Sequence, residues 1–284
     1  MNYRVISCEK TKDKIIEALK DLCVIYPSDI YEKMLRAKDE EKGRAVKAME
    51  MLIENARIAE EENIPICQDT GMVIVYLHLG HGMSFDGDIN KTINEAVAYS
   101  YDRYYLRKSV VDDPLFDRTN TKDNTPCIIY TDFVDSDHLE IEIMAKGFGS
   151  ENMSAVKMLK PAEGIDGVKD FVIDTVKKAG PNACPPMIVG VGIGGTFEYA
   201  AYMAKHSLMK GMDEYHSDER YRKLEEDLLE EINKLDIGPL GLKGKNTCFK
   251  VNIESYPTHI AGLPVAVNIC CHACRHIKVE VYED

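Results

Sequence analysis

Cysteine is the residue most able to do chemistry in this sequence, and the chain of 284 residues carries nine: Cys8, Cys23, Cys67, Cys127, Cys184, Cys248, Cys270, Cys271 and Cys274. The count is odd and nothing points to an oxidising compartment, so a disulfide framework is not their expected use. Cys8, Cys23, Cys127 and Cys248 have apolar strand or helix neighbours and read as small buried hydrophobes. The other five stand beside Gly, Pro, Asp or His, in stretches that read as loops, where chemistry is often carried. Three such settings are far apart in sequence: Cys67 in ICQDTG, Cys184 in ACPP, and one of the pair Cys270/Cys271. Three thiolates are one short of filling a 4Fe–4S cluster, so one iron would keep an open position. An open iron is a Lewis acid that can take a hydroxyl and a carboxylate oxygen and stabilise the charge that develops as water leaves or adds. Hydro-lyases on hydroxy-carboxylic acids need that property.

Other uses of the same residues stay open. Cys271-His272-Ala273-Cys274 is a CxxC. Zinc would want a second closely spaced ligand pair, and Cys67 and Cys184 are single. A redox CxxC prefers a helix start after a strand, and Arg275-His276 would lower a thiolate pKa there. GVGIGGT places Gly190, Gly192 and Gly195 at the glycine positions of a dinucleotide fingerprint. That fingerprint also needs a second strand soon after the helix, and GMDEYHSDERYRKLEEDLLEE is charged and helical instead. A helix N-terminus beside a cysteine, with its amides facing an anion, is the better use of those glycines.

The elements that must position these residues follow from hydrophobic spacing. Ile15, Ile16, Leu19 and Leu22 predict a helix over Lys12 to Leu22, and Val46 through Ala59 predict another over Gly43 to Asn63, stopped by Pro65. Met72 to Leu79 reads as a buried strand before a Gly80-His81-Gly82 turn, and a helix follows from Ile89 to Leu106. Residues 109–126 are polar and without pattern, a long loop of the kind that is often functional. Cys127 to Phe133 and Leu139 to Ala145 alternate with period two around Asp135-Ser136-Asp137, which predicts a hairpin. KGFGSENM is a Gly-rich turn opening a helix. Ile165 to Lys178 predicts a helix capped by Gly180, followed by a strand, a helix to Met209 and a charged helix with Ser217 at its N-cap. Thr247 to Tyr282 reads as three strands. Helices and strands interleave without a regular βαβ period, so the fold class expected is α+β.

Composition narrows the partners. Acidic residues outnumber basic ones 48 to 35, for a net charge of −13, and no dense Lys/Arg stretch supplies a phosphate-binding footprint. Nucleic acid is not an expected partner. The N-terminus is charged within ten residues and has no apolar export core, and the most apolar stretch, Met187 to Ala204, contains several glycines and Glu198. The expectation is a cytoplasmic protein with no membrane partner.

ICQDTG, RKSVVDDPLFDRTNTKDNTP, KGFGSENM, NACPPMIVGVGIGGT, IGPLGLKGKNT and PTHIAGLPVAVNICCHACRH resemble, in order, the motifs of class I (iron–sulfur) fumarate hydratases. The likeness is to the alpha subunit, or N-terminal domain, shared by class I fumarase and L(+)-tartrate dehydratase, and it runs from about residue 45 to the C-terminus. Six motifs in one order are far more specific than any one of them.

The resemblance implies one catalytic domain of fumarase class I N-terminal type over residues 1–284, in one lobe or two. It implies an oxygen-sensitive 4Fe–4S cluster with one open iron, with Cys67, Cys184 and Cys271 at the ligand positions. Gln68 and Asp69 match residues that contact the substrate and its iron-bound oxygen, and Arg107 matches an arginine on a substrate carboxylate. Gly147, Gly149 and Ser150 match a backbone substrate-binding loop. His259 matches a histidine near the cluster that takes part in proton handling. The activity implied is reversible hydration of fumarate to (S)-malate, with dehydration of L(+)-tartrate to oxaloacetate as the alternative and a zinc or redox thiol protein as a distant third. The chain departs from the family pattern at Cys270 and Cys274, where glutamine and alanine are common, and at Phe148 in a loop that is usually all small, a change expected to tighten the substrate cavity. Single-chain members carry a second domain with the general base and several cationic residues. The expectation is therefore a split enzyme, alpha2beta2, whose separate beta subunit supplies them for a small dicarboxylate substrate.

Overall fold

The computed structural model describes residues 4–282. In chain order the elements are β1 (Arg4–Ile6), α1 (Cys8–Val24), α2 (Ser28–Glu40), α3 (Arg44–Glu62), β2 (Met72–Gly80), β3 (Met83–Phe85) and α4 (Ile89–Arg103). They continue with β4 (Ile128–Val134), β5 (Leu139–Lys146), the single turn α5 (Phe148–Glu151), β6 (Ala155–Leu159), α6 (Gly164–Ala179) and β7 (Met187–Gly194). The last are α7 (Phe197–His206), α8 (Glu219–Asn233), β8 (Cys248–Tyr256), β9 (Leu263–Cys270) and β10 (His276–Val281). The class is α+β. No helix among the described residues is long and apolar enough to cross a membrane.

The chain divides into two compact units, each built from separate stretches. The first takes residues 4–27, 56–147 and 275–282; the second takes 28–55 and 148–274. The first unit holds a four-stranded sheet in the order β10-β5-β2-β4, and a parallel pair β1-β3. α1 and α4 cover the sheet: Ile15, Leu19, Leu22, Ile93 and Val97 pack with Val73, Val75, Leu77, Ile141 and Ile143 in one buried core. Both helices start on a side-chain cap, Ser7 accepting from the Lys10 amide and Asp88 from the Lys91 amide, which satisfies an otherwise orphaned N–H at each end.

The predicted hairpin does not form. β4 and β5 both pair with β2, β4 parallel (Ile74↔Ile128) and β5 antiparallel (Met72↔Lys146), so β2 lies between them. β2 is the most continuously apolar of the three and takes the central place. The connecting turn passes over its end at Gly80, where a Cβ would stand 2.3 Å from the Ser136 carbonyl oxygen. Only a residue without a side chain lets the turn cross there. The last of the three C-terminal strands, β10, pairs with β5 (His276↔Met144) and so belongs to this unit.

The second unit holds the sheet β6-β9-β7-β8, with β7 parallel to β8 and antiparallel to β9. On one face α6 and α8 bring Val172, Val176, Leu228 and Ile232 onto Val189, Val191, Ile253, Val267 and Ile269. On the other, α7 lies so close that a Cβ at Gly190 would meet the Ala204 carbonyl oxygen at 2.0 Å, and one at Gly192 the Ala200 carbonyl oxygen at 2.1 Å. The alternating glycines of GVGIGG are a helix-packing surface, not a nucleotide cradle. α8 is capped by Asp218, which accepts from the Arg220 amide, one residue later than the predicted Ser217. α2, β1, β3 and β6, unforeseen from the pattern, are also present.

Candidate active site

In the first unit, Cys67, Gln68 and Asp69 lie on the connection between α3 and β2. Cys67 is half-buried and its thiol donates to Gln68 Oε1 at 3.5 Å, while Gln68 itself is exposed. Asp69 Oδ1 accepts the Gly71 amide at 3.0 Å, an Asx turn that fixes one carboxylate oxygen. Gly71 has φ +81 and a Cβ there would stand 2.7 Å from the Lys146 backbone, so the turn requires glycine. Three side chains hold its carbonyls and neighbours. The Tyr101 hydroxyl donates to the Thr70 and Gly71 carbonyls at 2.9 and 3.1 Å. Asn124 Nδ2 donates to the Gly71 carbonyl at 3.1 Å. The Thr70 hydroxyl donates to the Arg107 carbonyl at 3.1 Å, which brings Arg107, an exposed side chain, to the same turn.

Gly147 joins this group from the end of β5. A Cβ on it would stand 3.2 Å from Asp69 Oδ2 and 3.5 Å from Arg275 Nη2. Lys146, 1% exposed, donates from Nζ to the Gly147 carbonyl at 3.3 Å. The long polar loop is ordered by Asn124 as well, whose Oδ1 accepts the Ser109 amide at 2.7 Å. Burial, above all, pushes the Tyr101 hydroxyl pKa up, and the nearby Arg275 guanidinium opposes it. Burial likewise pushes the Cys23 thiol up to about 11, again with Arg275 acting the other way.

In the second unit, Cys184 closes the 3-10 turn Gly180–Ala183, its amide donating to the Pro181 carbonyl at 3.0 Å. It is exposed and left-handed, φ 51 and ψ 65. For a side chain with a Cβ that conformation costs on the order of 1–3 kcal/mol, a strain that tends to persist at functional sites. The His272 amide donates to the Cys184 carbonyl at 3.3 Å, so the loops carrying Cys184 and Cys271 are tied together. Of the three clustered thiols, Cys270 ends β9 opposite Ile188 and is buried, and Cys274 is buried with its thiol donating to the Leu208 carbonyl at 3.7 Å. Cys271 alone is partly open to solvent. The CxxC is followed by a strand and no helix, unlike the redox arrangement, and its second cysteine is buried. α5 packs beside the 3-10 turn that precedes Cys184: a Cβ at Gly149 would reach the Asn182 carbonyl at 3.9 Å, and Ser150 is buried. Phe148 is 48% exposed.

One expectation about this unit needs correcting, and the place of His259 within it needs stating. The N-terminus of α7 follows Gly194 at the far end of β7, whereas Cys184 precedes the strand's start, so the helix is not beside the cysteine. His259 sits with Gly195, Tyr199 and Tyr256 around a shallow depression, its neighbour Thr258 donating to the Gly195 carbonyl at 2.8 Å. Cys271 follows β9 and His259 precedes it, so the eight-residue strand separates them by roughly 20 Å at about 3.3 Å per residue. The unit unites Cys184, Cys271, Gly149 and Ser150, and leaves His259 apart.

The family model of fumarate hydratase (Fumerase) matches residues 12–280. The chain belongs to the fumarate hydratase family. Among its relatives, a Methanocaldococcus jannaschii protein named "Putative L(+)-tartrate dehydratase subunit alpha" is 41% identical over 274 residues, 94% of this chain and 95% of that one. The L(+)-tartrate dehydratase subunit alpha of Escherichia coli K12 is 32% identical over 263 residues, 91% of this chain and 86% of its own length. For this fumarate hydratase family member, sequence reasoning missed Tyr101, Asn124, Lys146 and Arg275. Lys146 and Arg275 stand inside motifs already singled out, KGFGS and CHACRH, and two buried cations there were a readable signal. Tyr101 and Asn124 act on backbone carbonyls and leave no mark in residue type or spacing.

Proposed function

We propose that this chain is the cluster-bearing alpha subunit of a cytoplasmic hydro-lyase acting on a small hydroxydicarboxylate, completed by a separate beta subunit in an alpha2beta2 assembly. Cys67, Cys184 and Cys271 are the proposed ligands of a 4Fe–4S cluster. The observation that carries the reading is the accessibility of these thiols: Cys184 is exposed and Cys67 and Cys271 are half-buried, while the competing Cys270 and Cys274 are closed off inside the fold. The donor set fits a cluster that leaves one iron open, and that iron supplies Lewis acidity toward a hydroxyl or carboxylate oxygen.

The chain's own residues do the rest. Arg107 presents an exposed guanidinium, suited to bidentate binding of a substrate carboxylate. Gln68 offers its amide to the substrate. Asp69, whose Oδ1 accepts the Gly71 amide, is the group assigned to orienting the reacting hydroxyl or its proton. Gly147, Gly149 and Ser150 supply a close backbone approach. The general base and further cations are assigned to the beta subunit, a division supported by the relatives' names as alpha subunits. His259 is given no part at this chain's cysteines, because its own sheet holds it away from Cys184 and Cys271. Relatives named for L(+)-tartrate make tartrate the first substrate to test, and the family's description makes fumarate and (S)-malate the second.

The test is anaerobic reconstitution with iron and sulfide, reading iron content and the cluster spectrum. About four irons per chain are expected, lost in Cys67→Ser, Cys184→Ser and Cys271→Ser, kept in Cys270→Ser, and bleached by air. Addition of a beta subunit should then give turnover of tartrate, malate or fumarate. Tightly bound zinc with no iron, indifferent to Cys67→Ser and Cys184→Ser, would overturn the reading in favour of a thiol protein.

A further inference from the structure

We propose that Arg275 is a positioning residue for Asp69, an assignment that rests on the role given to Asp69 above. Arg275 leads the fully buried side chains by size among the described residues, with 2% of its surface exposed. Its segment is anchored in the first unit by the Ala145 amide, which donates to the Arg275 carbonyl at 3.1 Å beside the β5–β10 ladder. A guanidinium cannot be deprotonated to escape burial, and burying it is costly unless an anion and acceptors surround it.

The anion is Asp69. Its Oδ2 and Arg275 Nη2 converge on one face of Gly147, 3.2 and 3.5 Å from the point where a Cβ would stand. The same guanidinium acts on Cys23 and on Tyr101, and Tyr101 also feels the Asp69 charge, so the four groups share one buried neighbourhood. Cys23 and Tyr101 are both kept neutral by burial and offer no negative charge. Asp69 is fixed at Oδ1 by the Gly71 amide, and its Oδ2 lies on the side of Gly147 that the guanidinium also faces. A side chain at Gly147 would press on the Asp69 carboxylate from the face that the guanidinium also approaches.

A residue that acts through Asp69 should lose its effect when Asp69 is already gone. The experiment uses the reconstituted alpha–beta complex and the variants Arg275→Lys, Arg275→Gln, Gly147→Ala, Asp69→Asn and the double variant Asp69→Asn/Arg275→Lys. Arg275→Lys is expected to lower kcat by about tenfold or more with KM changed by less than about threefold, and Gly147→Ala to act in the same direction. Iron content and the cluster spectrum should match wild type. In the Asp69→Asn background, Arg275→Lys should change kcat by less than about threefold. If Arg275→Gln does not fold, the lysine variant, which keeps the charge and most of the volume, carries the test. Equal losses in the two backgrounds would overturn the proposal, as would a loss confined to KM or one that tracks lost iron. An effect of Asp69→Asn below tenfold would instead overturn the role of Asp69, whatever Arg275→Lys does.

Discussion

Tyr101 shows how much of the site depends on a side chain that does no chemistry. Its hydroxyl is buried and donates to the Thr70 and Gly71 carbonyls, directly after Asp69. Tyr101→Phe keeps the ring's packing and removes only the donor. Two buried carbonyls then lose a partner, although Gly71 retains the Asn124 amide. The expected cost is about 1–3 kcal/mol, read as a lower midpoint in urea unfolding. Tyr105→Phe, at a residue 89% exposed, should stay within about 0.5 kcal/mol and serves as the control. An unchanged midpoint in Tyr101→Phe would mean that the Asp69 turn holds itself. Legibility at this scale follows from what a residue does. Cys67 and Cys184 were readable as candidates because thiols beside aspartate, glycine or proline stand out by type, whereas Asp69 came only with the family resemblance. Tyr101 and Asn124 were not, because a donor to a backbone carbonyl can come from anywhere in the chain. Cys271 could not be separated from Cys270 by spacing. Burial separates them, since Cys270 is the last residue of β9 and points into the fold.

At the scale of elements, β7 illustrates a motif whose glycines have a different physical cause from the one the pattern suggests. Gly190 and Gly192 occupy the face that α7 covers, and Val189, Val191 and Ile193 fill the other face against α6 and α8. Strand period two alone produces G-V-G-I-G when one side must admit a helix backbone and the other must fill a core. Gly192→Ala would set a methyl 2.1 Å from the Ala200 carbonyl oxygen and 2.8 Å from the Ala204 amide nitrogen, both backbone atoms of α7 that cannot rotate away. The helix must shift bodily, at an expected cost of about 1–3 kcal/mol or more in thermal or urea unfolding. Gly262→Ala, where a Cβ has nothing closer than 4.0 Å, should leave stability within about 0.5 kcal/mol. A tolerated Gly192→Ala would mean α7 is loosely held and would reopen the ligand reading of these glycines. The long helices other than α2, and most strands, were legible from their apolar period. Strand partnership was not, because period two is blind to which neighbour a strand chooses. The turn at Ser136 could cross β2 only because β2 ends on Gly80, a long-range fit with no local sign.

At the scale of the whole molecule, the division into two units was the least legible feature, because neither unit is continuous in sequence. The chain passes from one unit to the other within KGFGS and again within CHACRH, two stretches that carry candidate site residues and look nothing like linkers. Boundaries are normally sought in Pro-, Gly- and polar-rich connections. The nine thiols then sort by burial across both units in a way that one experiment reads. Cys23, Cys127, Cys248, Cys270 and Cys274 are buried; Cys184 is exposed, and Cys8, Cys67 and Cys271 lie between. The attacking species is the thiolate, and burial pushes Cys23 and Cys127 up to about 11 and Cys248 up to about 12, so these three stay protonated at pH 8. Alkylation of the reduced, cluster-free chain at pH 8, mapped by peptide mass spectrometry, should label Cys184 first. Cys8, Cys67 and Cys271 follow, and the other five react only as the fold opens. After anaerobic reconstitution Cys67, Cys184 and Cys271 should become protected while Cys8 labels as before. Cys8 is the internal control, since general tightening of the fold would protect it too, whereas ligation would not. Rapid labelling of Cys270 or Cys274, or protection that spares Cys67, would dismantle the three-cysteine centre without any measurement of activity.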